Sequence, residues 1–254
     1  MRNFRITVSY DGSRYQGWQR IGNGQSIQGK IEAVLSEMTG HKVEIHGAGR
    51  TDAGVHARAQ IAHFKINTDR TPDDIRAYLN RYLPEDIAVT ACETVDDRFH
   101  ARLNATGKRY VYRIWNSDTP NVFERKYLCR MEQKLDTAEM QRAADLLIGT
   151  HDFKAFCGNK KMKKSTVRTL HTARVERLGD EVRLTFEGSG FLQNMVRILA
   201  GTLVEVGQGK RNAQEMTEIL DSLDRANAGI TMPPHGLILD EVYYDATGKE
   251  GKTV

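Results

Sequence analysis

The order in which two apolar periodicities alternate along this chain constrains its fold more than any other feature. Phe4, Ile6, Val8 and Tyr10 alternate with Arg5, Thr7 and Ser9, the period of a half-buried strand. Ser26 then stands at a capping position before Ile27, Ile31, Val34, Leu35 and Met38, one apolar helical face closed by Gly40. Apolar segments at Val43–His46 and Ala59–Ile66 read as strands on either side of a glycine-bearing loop. Thr71-Pro72-Asp73-Asp74 places proline at a first helical position and acids in a first turn, and Pro84 ends that helix. Ile87–Val95 is a further strand. The resulting order is βαββαβ, the ferredoxin-like signature.

The same order returns in the second half. Arg109–Trp115 alternates as a strand, and Asp136 caps a helix carrying Met140, Ala143, Ala144, Leu147 and Ile148 that Gly149 closes. Strands at Arg168–Arg177 and Val182–Glu187 precede a helix over Phe191–Val206. Asn212 and Glu215 outline a capping box for an added helix, and Leu237–Tyr244 is the last strand. The expected class is α/β of the α+β type, with two ferredoxin-like βαββαβ halves. Residues 1–104 form the first half, residues 105–245 the second, and 246–254 a loose tail without apolar anchors before Val254. Joining the halves into one mainly antiparallel sheet would hide their exposed edges.

Bulk composition narrows the partners. The 254 residues carry 37 Lys+Arg against 33 Asp+Glu, a net charge of +4 that is compatible with a nucleic-acid partner. The distribution is more telling, because Lys160, Lys161, Lys163, Lys164 and Arg168 crowd one loop. Arg98, Arg102, Lys108, Arg109 and Arg113 crowd another region. Three separated cysteines, Cys92, Cys129 and Cys157, form neither a disulfide framework nor a zinc motif, and suit a reducing, cytoplasmic setting. The histidines show no ligand spacing, so no metal is expected, and no apolar run reaches membrane-spanning length.

The loop Gly47–Arg58 holds Gly47, Gly49 and Gly54, one carboxylate, Asp52, and two cations, Arg50 and Arg58. Glycines permit positive φ and close approach of a ligand to the backbone. No Gly-Lys-Ser/Thr follows, and the helix of a dinucleotide fingerprint is missing, so neither phosphate-loop nor nicotinamide chemistry is indicated. On composition alone Asp52 is an ordinary turn residue. A short acid held between cations and glycines is, however, an expensive way to make a turn.

The stretch Gly49-Arg50-Thr51-Asp52-Ala53-Gly54-Val55-His56 closely resembles the active-site motif of the TruA family of tRNA pseudouridine synthases. Tyr10-Asp11-Gly12, Gly17-Trp18-Gln19, Phe99-His100-Ala101-Arg102, Lys108-Arg109-Tyr110, Gly149 to Phe153, Met195-Val196-Arg197 and Gly236-Leu237 resemble further family blocks, in the family's order. The resemblance implies a continuous, mainly antiparallel sheet with a central RNA-binding cleft. It implies an isomerase that converts uridine to pseudouridine in the anticodon stem-loop of tRNA, at positions 38, 39 and 40, without any cofactor. A homodimer that grips tRNA with both subunits belongs to the same expectation.

Breaking an N-glycosidic bond and rejoining the sugar through C5 needs no redox partner and no energy source. It needs an ionised carboxylate, and Asp52 is the candidate, whether it attacks the sugar, adds to the base or removes a ribose proton. The target base must leave the stack, so a pocket wall is required. The resemblance singles out Tyr110 as that wall, although alternation would equally place Tyr110 and Tyr112 in a core. Leu237 matches a position near the pocket, with a core leucine at a strand start as its alternative. Arg197, among Met195, Ile198, Leu199 and Leu203, either snorkels or meets an acid, and the family pattern implies Asp52. Arg50 and Arg58 are expected at phosphates, with Lys160, Lys161, Lys163, Lys164 and Arg20 along the RNA backbone. The competing expectation is a non-catalytic RNA-binding protein with two RRM-like halves, for which Lys108-Arg109-Tyr110-Val111-Tyr112 is a loose match lacking the glycine.

Overall fold

The computed structural model describes residues 1–20, 22, 25–159 and 161–244. Lys160 and the expected tail, 246–254, lie outside the described residues. The chain divides into two compact units, Met1–Thr106 with Leu239–Val254, and Gly107–Ile238. The α/β class and the predominantly antiparallel pairing expected from the sequence are those observed.

In the first unit, β1 (Arg2–Tyr10), α1 (Ile27–Thr39), β2 (His46–Gly47), β3 (His56–Ile66), α2 (Pro72–Tyr82) and β4 (Ile87–Val95) follow in the anticipated order. The antiparallel neighbours run β4-β1-β3, with β2 also on β3. The last strand, β10 (Leu237–Tyr244), enters this unit at Leu239 and lies beside β3. Phe4, Ile6 and Val8 of β1 are fully buried, as are Ile27, Ile31 and Leu35 of α1 and Ile75 and Leu79 of α2. Each such side chain contributes about 1.5–3 kcal/mol by leaving water. Ser26 accepts from the Gly29 N–H, Gly40 takes φ 72, and Thr71 and Asp74 complete a reciprocal capping box.

One expected strand, Val43–His46, is reduced to its end. Val43 and Ile45 are buried but lie outside any strand, and β2 holds only His46 and Gly47. Their N–H groups are taken by α1 instead of by a neighbouring strand. Val43 donates to Ser36 Oγ (3.0 Å) and Ile45 to Glu32 Oε1 (3.0 Å), while Gln28 Nε2 donates back to the Ile45 carbonyl (3.1 Å). Side chains that satisfy a backbone remove the need for a ladder.

In the second unit, β5 (Ala105–Trp115), which joins it at Gly107, is followed by β6 (Cys129–Arg130), α3 (Thr137–Asp145), β7 (Gly149–Asp152), β8 (Val167–Leu178), β9 (Glu181–Gly188), α4 (Met195–Gly207) and α5 (Glu215–Ser222). The neighbours run β5-β9-β8-β7, all antiparallel, with β6 parallel to β5. Two helices are shorter than expected. α3 stops at Asp145, and Gly149, at φ 112, opens β7 rather than closing the helix. α4 begins only at Met195, because Asn194 occupies the left-handed region at φ 59. Two cations of the basic run around β5 meet acids in space. Arg113 pairs with Glu181 (2.8 Å) and Glu124 (3.3 Å), and Arg109 pairs with Glu187.

Candidate active site

The glycine loop is held at both ends by its strands. The ladder pairs His46 with His63 and Gly47 with Ala62, and the Ala48 N–H continues it to the Ile61 carbonyl (2.7 Å). Beyond that point the chain turns. The Val55 N–H closes on the Asp52 carbonyl (3.2 Å), and Gly54 takes φ 77 as the third residue of that turn. Of the three motif glycines only Gly54 has positive φ. Gly47 is required for space, since a Cβ there would stand 2.5 Å from the Trp18 indole nitrogen.

A second segment, Tyr10 to Trp18, braces the loop. The Trp18 N–H donates to the Thr51 carbonyl (3.1 Å) and the Gly54 N–H to the Tyr15 carbonyl (3.3 Å). The Tyr10 and Thr51 hydroxyls share a buried hydrogen bond of 2.8 Å. Gln60, fully buried on β3, donates from Nε2 to the Gly49 carbonyl (2.9 Å). Buried His56 accepts the Gly12 N–H at Nδ1 (3.0 Å), the same atom lying 3.2 Å from Asp11 Oδ1. Asp52 itself is half-buried at the surface of this frame.

A cluster of imidazoles stands at the loop's base. His63 packs against His46 and His100, with ring centroids at 5.2 and 4.6 Å, and accepts the Ala101 N–H at Nδ1 (3.1 Å). Burial first, then the neighbouring imidazoles, pushes His63 down to about 4. Neutral His63 thereby ties β3 to the Phe99–Arg102 turn.

Three of the expected phosphate ligands lie in this unit. Arg50 is exposed. Arg58 pairs with Asp240 (3.1 Å), and Arg20 with Glu32 (3.0 Å) and Glu44 (3.6 Å). In the pairs with Asp240 and Glu32 the arginine is exposed while its acid is largely buried, so each guanidinium keeps a face that a phosphate can reach.

In the second unit, Tyr110 sits on β5 opposite Phe186 of β9 and meets the Phe191 ring edge-on, with centroids at 5.0 Å. Its neighbour Tyr112 is fully buried and donates to the Pro233 carbonyl (2.8 Å). Arg197, half-buried on α4, donates from Nε to the Met232 carbonyl (2.7 Å) and from Nη1 to Asn194 Oδ1 (3.2 Å). These bonds orient its guanidinium. Leu237 is buried at the first position of β10, directly after the Pro234–Gly236 turn. Lys161, Lys163 and Lys164 are exposed on the loop before β8.

Tyr10, Thr51, Gln60 and His56 were not among the site residues expected from the sequence. Gln60 stands in β3 beside the apolar residues Ile61 and Ala62, and a single polar residue there gave no distinct signal among His56, Arg58, His63 and Lys65 of the same strand.

The family model described as tRNA pseudouridine synthase matches residues 6–104 and 143–245. A tRNA pseudouridine synthase A of Bacillus sp. (strain KSM-64) is 47% identical over 245 residues, covering 96% of this chain and 100% of that protein. The protein of that name from Brevibacillus brevis is 46% identical over 244 residues, with the same coverage. A tRNA pseudouridine synthase A 2 of Clostridium perfringens is 42% identical over 244 residues, again covering 96% and 100%.

Proposed function

The chain belongs to the tRNA pseudouridine synthase family, and from that premise we propose that Asp52 is the carboxylate with which it isomerises uridine to pseudouridine in tRNA. The observation that carries the assignment is the loop itself: its single acid stands on a backbone held by β1, β3 and the Tyr10–Trp18 segment. Preorganisation of that kind is what a positioned nucleophile or base needs.

The reaction breaks the bond from ribose C1′ to N1 and forms one from C1′ to C5. The C5 hydrogen leaves as a proton and N1 gains one, so atoms and electrons balance without a cofactor. An ionised aspartate serves any of three routes: ester formation at C1′, addition to the base, or removal of a ribose proton. Tyr110 would wall the extruded base, with Leu237 beside it, and Arg197 would hold negative charge. Arg50 and Arg58 would engage phosphates bidentately, and Arg20 with Lys160, Lys161, Lys163 and Lys164 would follow the backbone. We further infer action on the anticodon stem-loop, at positions 38, 39 and 40, by a homodimer in the cytoplasm. Among the described residues no helix is long and apolar enough to cross a membrane.

The test is release of tritium from tRNA whose uridines are labelled at C5. Purified protein should release label, and mapping the pseudouridines should place them at positions 38 to 40. A protein that binds this tRNA and releases no label is a binding module, and the catalytic assignment then fails.

A further inference from the structure

Asp52 makes its turn directly after a residue that is fixed from two sides. Thr51 is 7% exposed, its carbonyl accepts the Trp18 N–H (3.1 Å), and its hydroxyl meets the Tyr10 phenol at 2.8 Å. Tyr10 is the last residue of β1 and is itself 4% exposed. One residue before the Arg50 position, the Gly49 carbonyl is held by Gln60 Nε2 at 2.9 Å. Gln60 is wholly buried on β3, and its amide also acts on the Tyr10 phenol. Two buried side chains thus reach the residues flanking Arg50: Gln60 ends on the Gly49 backbone, and Tyr10 ends on the hydroxyl of Thr51, which precedes Asp52.

Buried polar groups in this arrangement are costly to keep, and an apolar trio would fill the same space. Gln60 Oε1 has no hydrogen-bond partner among the described residues, which makes the retention more conspicuous. A packing role alone does not account for hydroxyls at both Tyr10 and Thr51, since Phe and Val have nearly the same shapes. What the hydroxyl pair adds is direction. It restricts the rotamer of Thr51, the residue that immediately precedes Asp52.

We propose that the Tyr10–Thr51 hydroxyl pair, seated beside Gln60, is a positioning device for Asp52 that serves turnover rather than tRNA affinity. The inference rests on the assignment of Asp52 as the reacting carboxylate. Neither hydroxyl touches substrate. They act through the backbone, and a displacement of about 1 Å at a reacting group can lower a rate by up to about 10²-fold.

The experiment compares Tyr10→Phe, Thr51→Val, their double variant, Thr51→Ser and Asp52→Asn in the full-length protein, by single-turnover tritium release and by tRNA binding. Far-ultraviolet circular dichroism and thermal melting confirm that each sample is folded at the assay temperature. Tyr10→Phe and Thr51→Val should each lower the rate by about tenfold or more with affinity changed by less than about threefold. The double variant should be no slower than the worse single one, because both substitutions remove one shared bond. Thr51→Ser keeps the hydroxyl and should recover most of the rate lost in Thr51→Val. Unchanged rates, losses that multiply in the double variant, or a parallel loss of affinity and rate would overturn the proposal. Turnover by Asp52→Asn would instead refute the catalytic assignment on which it stands, so the two failures are distinct.

Discussion

Two loops of this protein carry concentrated charge, and they are built in opposite ways. The Gly47–Arg58 loop is tied to remote parts of the chain: to β3 through Ala48 and Gly49, to β1 through Thr51, and to the Tyr10–Trp18 segment through Thr51 and Gly54. The lysine-bearing loop between Cys157 and Thr166 is tied to the rest of its unit near its ends, where the Gly158 N–H donates to the Gln193 carbonyl (2.8 Å) and Thr166 bonds Asp152 (2.5 Å) and Phe153. Among the described residues between them, the Lys161 and Met162 N–H groups both turn back to Asn159. On the proposed reading, the difference matches what each charge has to do. A carboxylate that must reach one atom of a nucleotide needs a fixed backbone, whereas an ammonium that follows a phosphate chain needs only charge and reach.

The contrast can be broken in three places. The largest effect is expected at Tyr110, another group carried on a fixed element. Tyr110→Ala should lower turnover by about 5- to 150-fold, the equivalent of ~1–3 kcal/mol of base stacking, while Tyr110→Phe keeps near-normal tRNA affinity. Full single-turnover activity in a folded alanine variant would return Tyr110 to the core, where its contact with Phe191 already gives it a packing role.

A smaller effect is expected from replacing Lys160, Lys161, Lys163 and Lys164 with glutamine. Binding should weaken, and the slope of log K against log salt should flatten by about 0.9 for each phosphate that the loop no longer neutralises. Affinity measured from roughly 50 to roughly 200 mM salt checks this. An unchanged slope would make the loop a solvated face with no RNA role.

The smallest effect concerns pH and the base of the held loop. His63 is held at about 4 in the folded chain by burial first and then by the charges of His100, His46 and Lys65, against a hydrogen bond with the His46 backbone that favours its charging. His100 is shifted down as well, by desolvation and then by His46 and Arg102. Both depressed imidazoles bind protons more readily unfolded, so their contribution to stability is complete above the unfolded value near 6.5. It is lost progressively as pH falls from there toward about 4. Urea midpoints at a series of pH values should therefore drop across that window, and His63→Gln should flatten the drop. An identical profile in the variant would show that the cluster is not what loosens in acid.

Much of this architecture was legible because local and tertiary demands agreed. Phe4, Ile6 and Val8 alternate and are buried, Ser26 and Thr71 cap, and Gly40 closes a helix. Sequence reasoning failed where a distant group settled the backbone. Val43 and Ile45 look like a strand, yet their N–H groups are satisfied by Ser36 and Glu32 of α1. Leu147 and Ile148 continue a helical pattern, yet the chain has already left the helix to form β7. At the site, Asp52 and its glycines were visible as a motif, but its supports were not. Tyr10 and Thr51 are 41 positions apart, and nothing in either local pattern announces the bond between them. Charge runs misled in the same way, since Arg109 and Arg113 meet glutamates that only strand pairing brings near.

If the held loop supplies chemistry through one carboxylate, Asp52→Asn is the substitution that must abolish it. Asparagine is nearly isosteric and suits the same turn, so the frame from Tyr10 to Gln60 should persist. Pseudouridine formation and tRNA affinity are to be measured on the same preparation, shown by mass spectrometry to be free of deamidated protein. The expected result is no pseudouridine, with affinity within about tenfold of the parent, a shift of at most ~1.4 kcal/mol. Turnover by that preparation, or loss of binding together with turnover, would contradict the catalytic role of the loop.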